Sequence, residues 1–309
     1  MKILLTGGSG MVGKNILEHS EAQKHEIFAP TSHDLDLLDR DAVRHHMDNF
    51  DPDLVIHSAG KVGGIHANIA NPVEFLTKNL DMGLNVISAA ASLDVPNLIN
   101  LASSCMYPRE AVNPLSEDMI LKGELEPTNE GYALAKIVAT RLCEYIVQED
   151  SGKTYRTFIP CNLYGRHDKY NPKHSHLIPA VIRKIHEAKQ EGKNVVNVWG
   201  DGTARREFMY AQDLADFIFF AIDNLDKIPQ NVNVGLGHDY SIIDYYKAVA
   251  SVVGFDGQFE MELARPVGMR QKLVDTTVLK SLGWHHKTDL IDGIRQSYMF
   301  FKEGLGHGI

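Results

Sequence analysis

The first thirteen residues constrain the fold more than any other stretch. Lys2-Ile3-Leu4-Leu5-Thr6 is an apolar run of strand length, and Gly7-Gly8-Ser9-Gly10-Met11-Val12-Gly13 follows without a spacer. A helical pattern begins beyond it, at Lys14. A strand that turns through glycines into a helix start aims backbone N–H groups and the positive end of the helix dipole at one point. That point suits a pyrophosphate. GxxGxxG spacing directly after a first strand reads as a dinucleotide fingerprint, with Gly7, Ser9, Gly10, Met11, Val12 and Gly13 as contacts. The plainer reading is a turn that merely lets strand and helix pack closely.

Further strands alternate with helices. Glu26 to Ala29 reads as the second strand, Asp53 to His57 as the third, Leu98 to Ser103 and Thr154 to Pro160 as later ones. Val73 to Leu93 and Tyr132 to Gln148 carry helical periodicity. This order predicts an α/β fold, a Rossmann-type doubly wound parallel sheet, with ligands at the carboxyl ends of the strands. Ser58-Ala59-Gly60 and Cys161-Asn162-Leu163 fall at such ends, and Ala59 is small enough for close approach. His57 reads as a packed strand-end histidine rather than a ligand. The second strand ends in Pro30-Thr31-Ser32-His33, with acids only at Asp34 and Asp36. An NAD site would usually carry an acid at the strand end. Its lack, with hydroxyls at Ser9, Thr31 and Ser32 and with Lys14 nearby, favours NADP(H).

Two stretches carry chemistry. Tyr132 and Lys136 stand four apart on a helical pattern, hence on one face a turn apart. An ammonium beside a phenol favours the phenolate. Ser103, past a strand end, can hold the same carbonyl oxygen, and the three together suit proton delivery to a ketone that receives hydride. Alone, YxxxK also fits an ordinary amphipathic helix. Cys105, two residues beyond Ser103, can take a proton from carbon next to a carbonyl, although a lone cysteine is more often a small buried hydrophobe, the reading given to Cys143 and Cys161. The cysteines and histidines lack the close-spaced pairs of a zinc site.

Composition excludes some partners. A net charge of −9 on 309 residues argues against nucleic acid or an anionic membrane. Three widely spaced cysteines argue against a disulfide framework and for a reducing, cytoplasmic setting. The glycine cluster leaves no room for a signal-peptide apolar region, and the apolar run Phe217 to Ile222 is too short to cross a bilayer. From Arg166 to Arg206 the balance inverts, with nine Lys or Arg against four acids. That local field suits an anionic ligand such as a nucleotide diphosphate-sugar. A solvated helix face is the alternative for Arg183, Lys184 and Lys189.

The segments TGGSGMVG, AGKVGGI, SSCMYP, EPTNEGYALAK, NLYGRHD and WGDGTARREF, in this order, resemble the extended short-chain dehydrogenase/reductase family. The resemblance covers nearly the whole chain. Within the family it is nearest to the GDP-4-keto-6-deoxymannose 3,5-epimerase/4-reductases. It implies an NADPH-dependent homodimer joined through helices like Val73–Leu93 and Tyr132–Gln148. It also implies Ser103, Cys105, Tyr132, Lys136 and His176 as the catalytic set, Cys105 and His176 being the epimerising base and acid. His174 and His167 compete with His176 on composition alone. Leu101, Asn162, Leu163 and His176 join the cofactor positions, and Lys184, Trp199, Arg206 and Lys272 match nucleotide-sugar positions. A buried anchor is the other reading of Trp199. The same chemistry on a 3,6-dideoxy sugar and a plain 4-reduction are the neighbouring activities.

This chain departs from the family pattern at Lys184, where arginine is frequent, and at Val267, where an acid is usual. Arginines found at Ser9 and Ser32 in bacterial members are missing too. The expected organisation is a cofactor domain of residues 1–165 plus about 204–232, and a smaller, mixed α/β substrate domain of about 166–203 plus 233–309. Glu207 to Asp223 should return to the large domain as strand and helix, and Asn231 to Gly235 should add a strand. Tyr240 to Val253 and Ile291 to Phe301 should form helices, and Leu305 to Ile309 a frayed tail.

Overall fold

The apolar runs become strands because helices cover both of their faces. In a computed structural model, which describes residues 1–171, 175–264 and 269–306, six parallel strands stand side by side. Their order is Asn231–Val234, Thr154–Pro160, Asn97–Leu101, Leu54–His57, Lys2–Thr6 and Glu26–Phe28. Alternation along Lys2–Thr6 sends Ile3 and Leu5 into one core and Leu4 into the core on the opposite face. Such two-sided burial is the signature of a parallel sheet. The chain runs from Lys2–Thr6 out to Glu26–Phe28, then crosses to Leu54–His57 on the other side. The order therefore reverses at the first strand, and a crevice opens beyond the strand ends.

Most expected elements appear within a few residues of their expected bounds, and Thr154–Pro160 matches. The first helix is Met11–Glu18, starting earlier than Lys14 because Gly10 adopts the extended cap conformation. The long pair Pro72–Ser92 and Glu130–Glu149 pack against each other.

A further core lies among the helices Leu177–Gln190, Ile242–Val253 and Leu290–Gly306, with Ile182, Val198, Tyr245 and Ile294 inside it. Val195–Trp199 pairs in parallel with Gln258–Glu262, and Arg205–Arg206 lies between Tyr240–Ser241 and Gln271–Lys272. The region after Glu207 divides. Helix Ala211–Ile222 packs Leu214, Phe217 and Ile218 into the main core. Strand Phe208–Tyr210 does not join the large sheet; it pairs in parallel with Asn162–Tyr164. Leu163 and Met209 of that pair face the main core, whereas Tyr164, Phe208 and Tyr210 belong to the further one. Leu305 and Gly306 end the last helix instead of fraying, and 307–309 lie outside the described residues, as do His174 and Val267. Among the described residues, no helix is long and apolar enough to cross a membrane.

Candidate active site

A cavity of about 630 Å³ opens at the carboxyl ends of the central strands. Gly7, Ser9, Gly10, Met11, Val12, Gly13, Ser32, Ala59, Leu101, Ser103, Tyr132, Lys136, Asn162, Leu163 and His176 line it, and Cys105 joins them, whereas Lys14 and Thr31, whose hydroxyl donates to Asp34 at 2.7 Å, do not. Two glycines explain how the floor is built. Gly7 has φ +75°, and a Cβ there would sit 2.7 Å from Ala59 N. A Cβ on Gly13 would fall 2.3 Å from the Gly7 carbonyl oxygen. The turn thus brings strand, helix and third-strand loop closer than any side chain allows. Gly10 N donates to Gly7 O at 3.0 Å, closing the turn. His57 is packed as expected, its Nδ1 2.9 Å from Thr6 Oγ1, and burial drops its pKa to about 3, helped by the Lys136 charge.

Ser103 follows the strand Asn97–Leu101 and caps a short turn, its Oγ accepting from Cys105 N at 3.3 Å. Lys136 is 6 % exposed and donates to the Leu101 carbonyl at 2.8 Å. Burial brings its pKa down to about 8. Its ammonium lies 5.9 Å from the centre of the Tyr132 ring. Burial pushes the Tyr132 phenol above its usual range, the nearby Cys105 adds to this, and a hydrogen bond with Ser103 opposes it. The phenol is thus a held donor rather than a pre-ionised base.

Cys105 lies half-buried in this cavity. Lys272 Nζ donates to its sulfur at 3.3 Å and Asn129 Nδ2 at 3.1 Å. Burial raises the thiol pKa, but the Lys272 charge and hydrogen bonds from Ser103, Lys272 and Asn129 outweigh it, so the net direction is down. The other cysteines are inert hydrophobes: burial pushes Cys143 up to about 12 and Cys161 well above its ordinary value. His176 caps the helix Leu177–Gln190, and burial, then the Lys169 charge, lowers its pKa.

The four nucleotide-sugar positions do not line the cavity. Lys272 reaches it only through the Cys105 sulfur. Arg206 pairs with Lys272 in the strand register. Lys184 Nζ donates to Asn197 O at 2.9 Å and lies over the Tyr246 ring. Trp199 is 43 % exposed, with its ring edge-on to His66 at 5.4 Å, so it is not a buried anchor. Arg183 pairs with Glu187, Lys193 with Glu191, and Lys189 donates to Val253 O. Asn129 and Asp168 were not anticipated. Burial pushes the Asp168 carboxyl up to about 7, and no spacing rule points to either residue. Among the described residues, no cluster of three metal-ligating side chains exists.

Strand ends that converge on a glycine-walled anion cradle, with a serine, a tyrosine and a lysine across from it, define the class: a dinucleotide-dependent oxidoreductase. More particularly, the chain belongs to the NAD dependent epimerase/dehydratase family, whose model matches residues 3–235. It is 55% identical over 301 residues to GDP-L-colitose synthase of Yersinia pseudotuberculosis, covering 97% of this chain and 98% of that one. It is 50% identical over 303 residues to GDP-L-fucose synthase of Azorhizobium caulinodans, covering 98% and 97%. Among solved structures it is similar to the GDP-mannoheptose C4 reductase MlghC from Campylobacter jejuni with NADP bound. That match has a TM-score of 0.86 at 31% identity and covers 97% and 98% of the two chains.

Proposed function

We propose that this chain is an NADPH-dependent epimerase/reductase of a GDP-linked 4-keto-6-deoxyhexose, converting GDP-4-keto-6-deoxy-D-mannose to GDP-L-fucose. The observation that carries this reading is one cavity lined by Cys105, His176, Ser103, Tyr132 and Lys136 above the glycine cradle. The relatives named above support the sugar class. The 55% match favours a second reading, the same chemistry on the 3,6-dideoxy sugar to give GDP-L-colitose.

The residues fit the cofactor, since Gly7 and Gly13 leave backbone where a Cβ would block the floor. The glycine turn would hold the pyrophosphate, Ser9 and Ser32 the 2′-phosphate side, and Lys136 the ribose. NADPH, when bound, supplies the hydride. Ser103 and Tyr132 hydroxyls grip the ketone oxygen of the sugar. Cys105 removes a proton from the flanking carbon, and the C–H electron pair moves into an enolate whose oxygen the two hydroxyls stabilise. His176 returns a proton to the opposite face, inverting the centre. Tyr132 finally gives its proton to the oxygen as C4 is reduced. Burial keeps that phenol protonated until then.

Lys184, Trp199, Arg206 and Lys272 are the proposed nucleotide-sugar contacts, the units 1–165 plus about 204–232 and about 166–203 plus 233–309 serving cofactor and substrate. Exposed Val73, Val138 and Tyr145 on the long helix pair support a homodimer through that face. Three free cysteines support a reducing, cytoplasmic setting.

The test is turnover in deuterated water. Label at C3 and C5 of the product from GDP-4-keto-6-deoxymannose is expected. Turnover of the 3-deoxy sugar alone, with label at C5, would favour colitose. NADPH consumption without any label would refute proton abstraction. Tyr132→Phe should slow reduction by roughly 10²–10⁴-fold; undiminished consumption would remove Tyr132 from its role.

A further inference from the structure

Two donors from distant parts of the chain converge on the Cys105 sulfur, Lys272 Nζ at 3.3 Å and Asn129 Nδ2 at 3.1 Å. Lys272 is 9 % exposed, set in the strand Gln271–Lys272 against Arg205–Arg206. An ammonium has only donors to offer, and a neutral thiol is a weak acceptor. A buried cation is also costly unless an opposite charge accompanies it. The sulfur satisfies both demands only when it is ionised.

We propose that Lys272, assisted by Asn129, holds Cys105 as a thiolate, making Lys272 a positioning residue for the base and not only a contact for the nucleotide-sugar. The consequence for turnover rests on the reading of Cys105 as the epimerising base. The groups that face the sulfur agree with it. Ser103 and Asn129 present hydrogen-bonding groups, and Arg206, itself near Glu126, interacts with the Cys105 charge. Tyr132 feels that charge as well. Tyr132 and Cys105 line the same cavity, and this shared site couples the two reactions. While sulfur is anionic, it disfavours loss of the phenol proton. When the sulfur accepts a proton from sugar carbon, the C–H pair passes to the enolate and the anion beside the phenol is gone. Tyr132 then gives up its proton more readily, at the stage when the sugar oxygen needs one.

The experiment is the pH dependence of Cys105 alkylation by iodoacetamide on the full chain, followed by mass of the Cys105 peptide. The wild-type midpoint is expected below the ~8.5 of a free thiol. Lys272→Met should move it up by a unit or more and slow alkylation at pH 7 about tenfold. Lys272→Arg should restore most of the shift, which a merely structural role would not do. Asn129→Asp, which leaves Lys272 in place, should also raise the midpoint and serves if Lys272→Met does not fold. A wild-type midpoint at the free-thiol value, or profiles of Lys272→Met or Asn129→Asp that superimpose on wild type, would overturn the proposal. Alkylation needs no sugar. A shifted profile without turnover would therefore keep the thiolate and remove the proposed function, and an unshifted profile with turnover intact would do the reverse.

Discussion

Replacing Gly13 by alanine tests how the cofactor floor is built. The new Cβ would stand 2.3 Å from Gly7 O and 2.5 Å from Gly8 Cα, both backbone atoms of the same turn. An ordinary carbon–oxygen contact is about 1 Å longer, so the helix Met11–Glu18 has to lift away from the strand Lys2–Thr6. Overpacking of this kind costs about 3 kcal/mol, the upper end of its usual range. At ~2–4 °C per kcal/mol for a chain of this size, Tm should fall by roughly 6–12 °C. Gly10→Ala is the matched control. Its Cβ would meet only Gly7 O at 3.3 Å, in an extended backbone any residue adopts. Tm should therefore hold within about 2 °C. Gly10 nonetheless lines the cavity, and a methyl there should weaken NADPH binding roughly tenfold, about 1.4 kcal/mol. Differential scanning calorimetry and NADPH fluorescence titration separate the two effects. If Gly13→Ala keeps the wild-type Tm, or if Gly10→Ala loses stability and not affinity, the account of the turn is wrong.

Two further expectations follow from buried titratable groups. Burial brings Lys136 to about 8, so the ammonium is present below that pH and lost above it, well before an exposed lysine would titrate. NADPH affinity should weaken as pH rises from 7 to 9.5, and a flat titration would exclude Lys136 from cofactor binding. Glu207 is fully buried and accepts from Leu236 N, Gly237 N and Val274 N at 2.5, 2.8 and 3.0 Å. Glu207→Gln turns one acceptor into a donor that faces an N–H, at a cost of ~2–4 kcal/mol. Thermal melts should show a loss of roughly 5–15 °C, and a change below 2 °C would refute the argument.

The cofactor half was legible because its signals are local. Lys2–Thr6 with its glycines, the small residues after Leu54–His57 and the YxxxK turn each carry their meaning within a few residues. The other half depends on contacts that no window contains. Lys272 and Cys105 are 167 residues apart, and nothing near either one marks the pair. Asn129 stands just before the helix Glu130–Glu149 without a side-chain cap bond, and its amide turns to sulfur. Strand Phe208–Tyr210 is too short for periodicity to tell which sheet it joins. The setting of Tyr132 and Lys136 depends on distant residues in the same way. Spacing puts both on one face, but the Leu101 carbonyl that claims the ammonium belongs to a strand 35 residues earlier.

The short ribbon of Asn162–Tyr164 with Phe208–Tyr210 acts as a reading frame between two hydrophobic interiors. Side chains alternate along it, odd ones serving one interior and even ones the other. Insertion or deletion of a single residue on either rung would exchange the addressees, driving Tyr164 or Tyr210 toward aliphatic packing and Leu163 or Met209 toward aromatic packing. Length variation among relatives should therefore accumulate in the loops that flank this ribbon and stop at its edges.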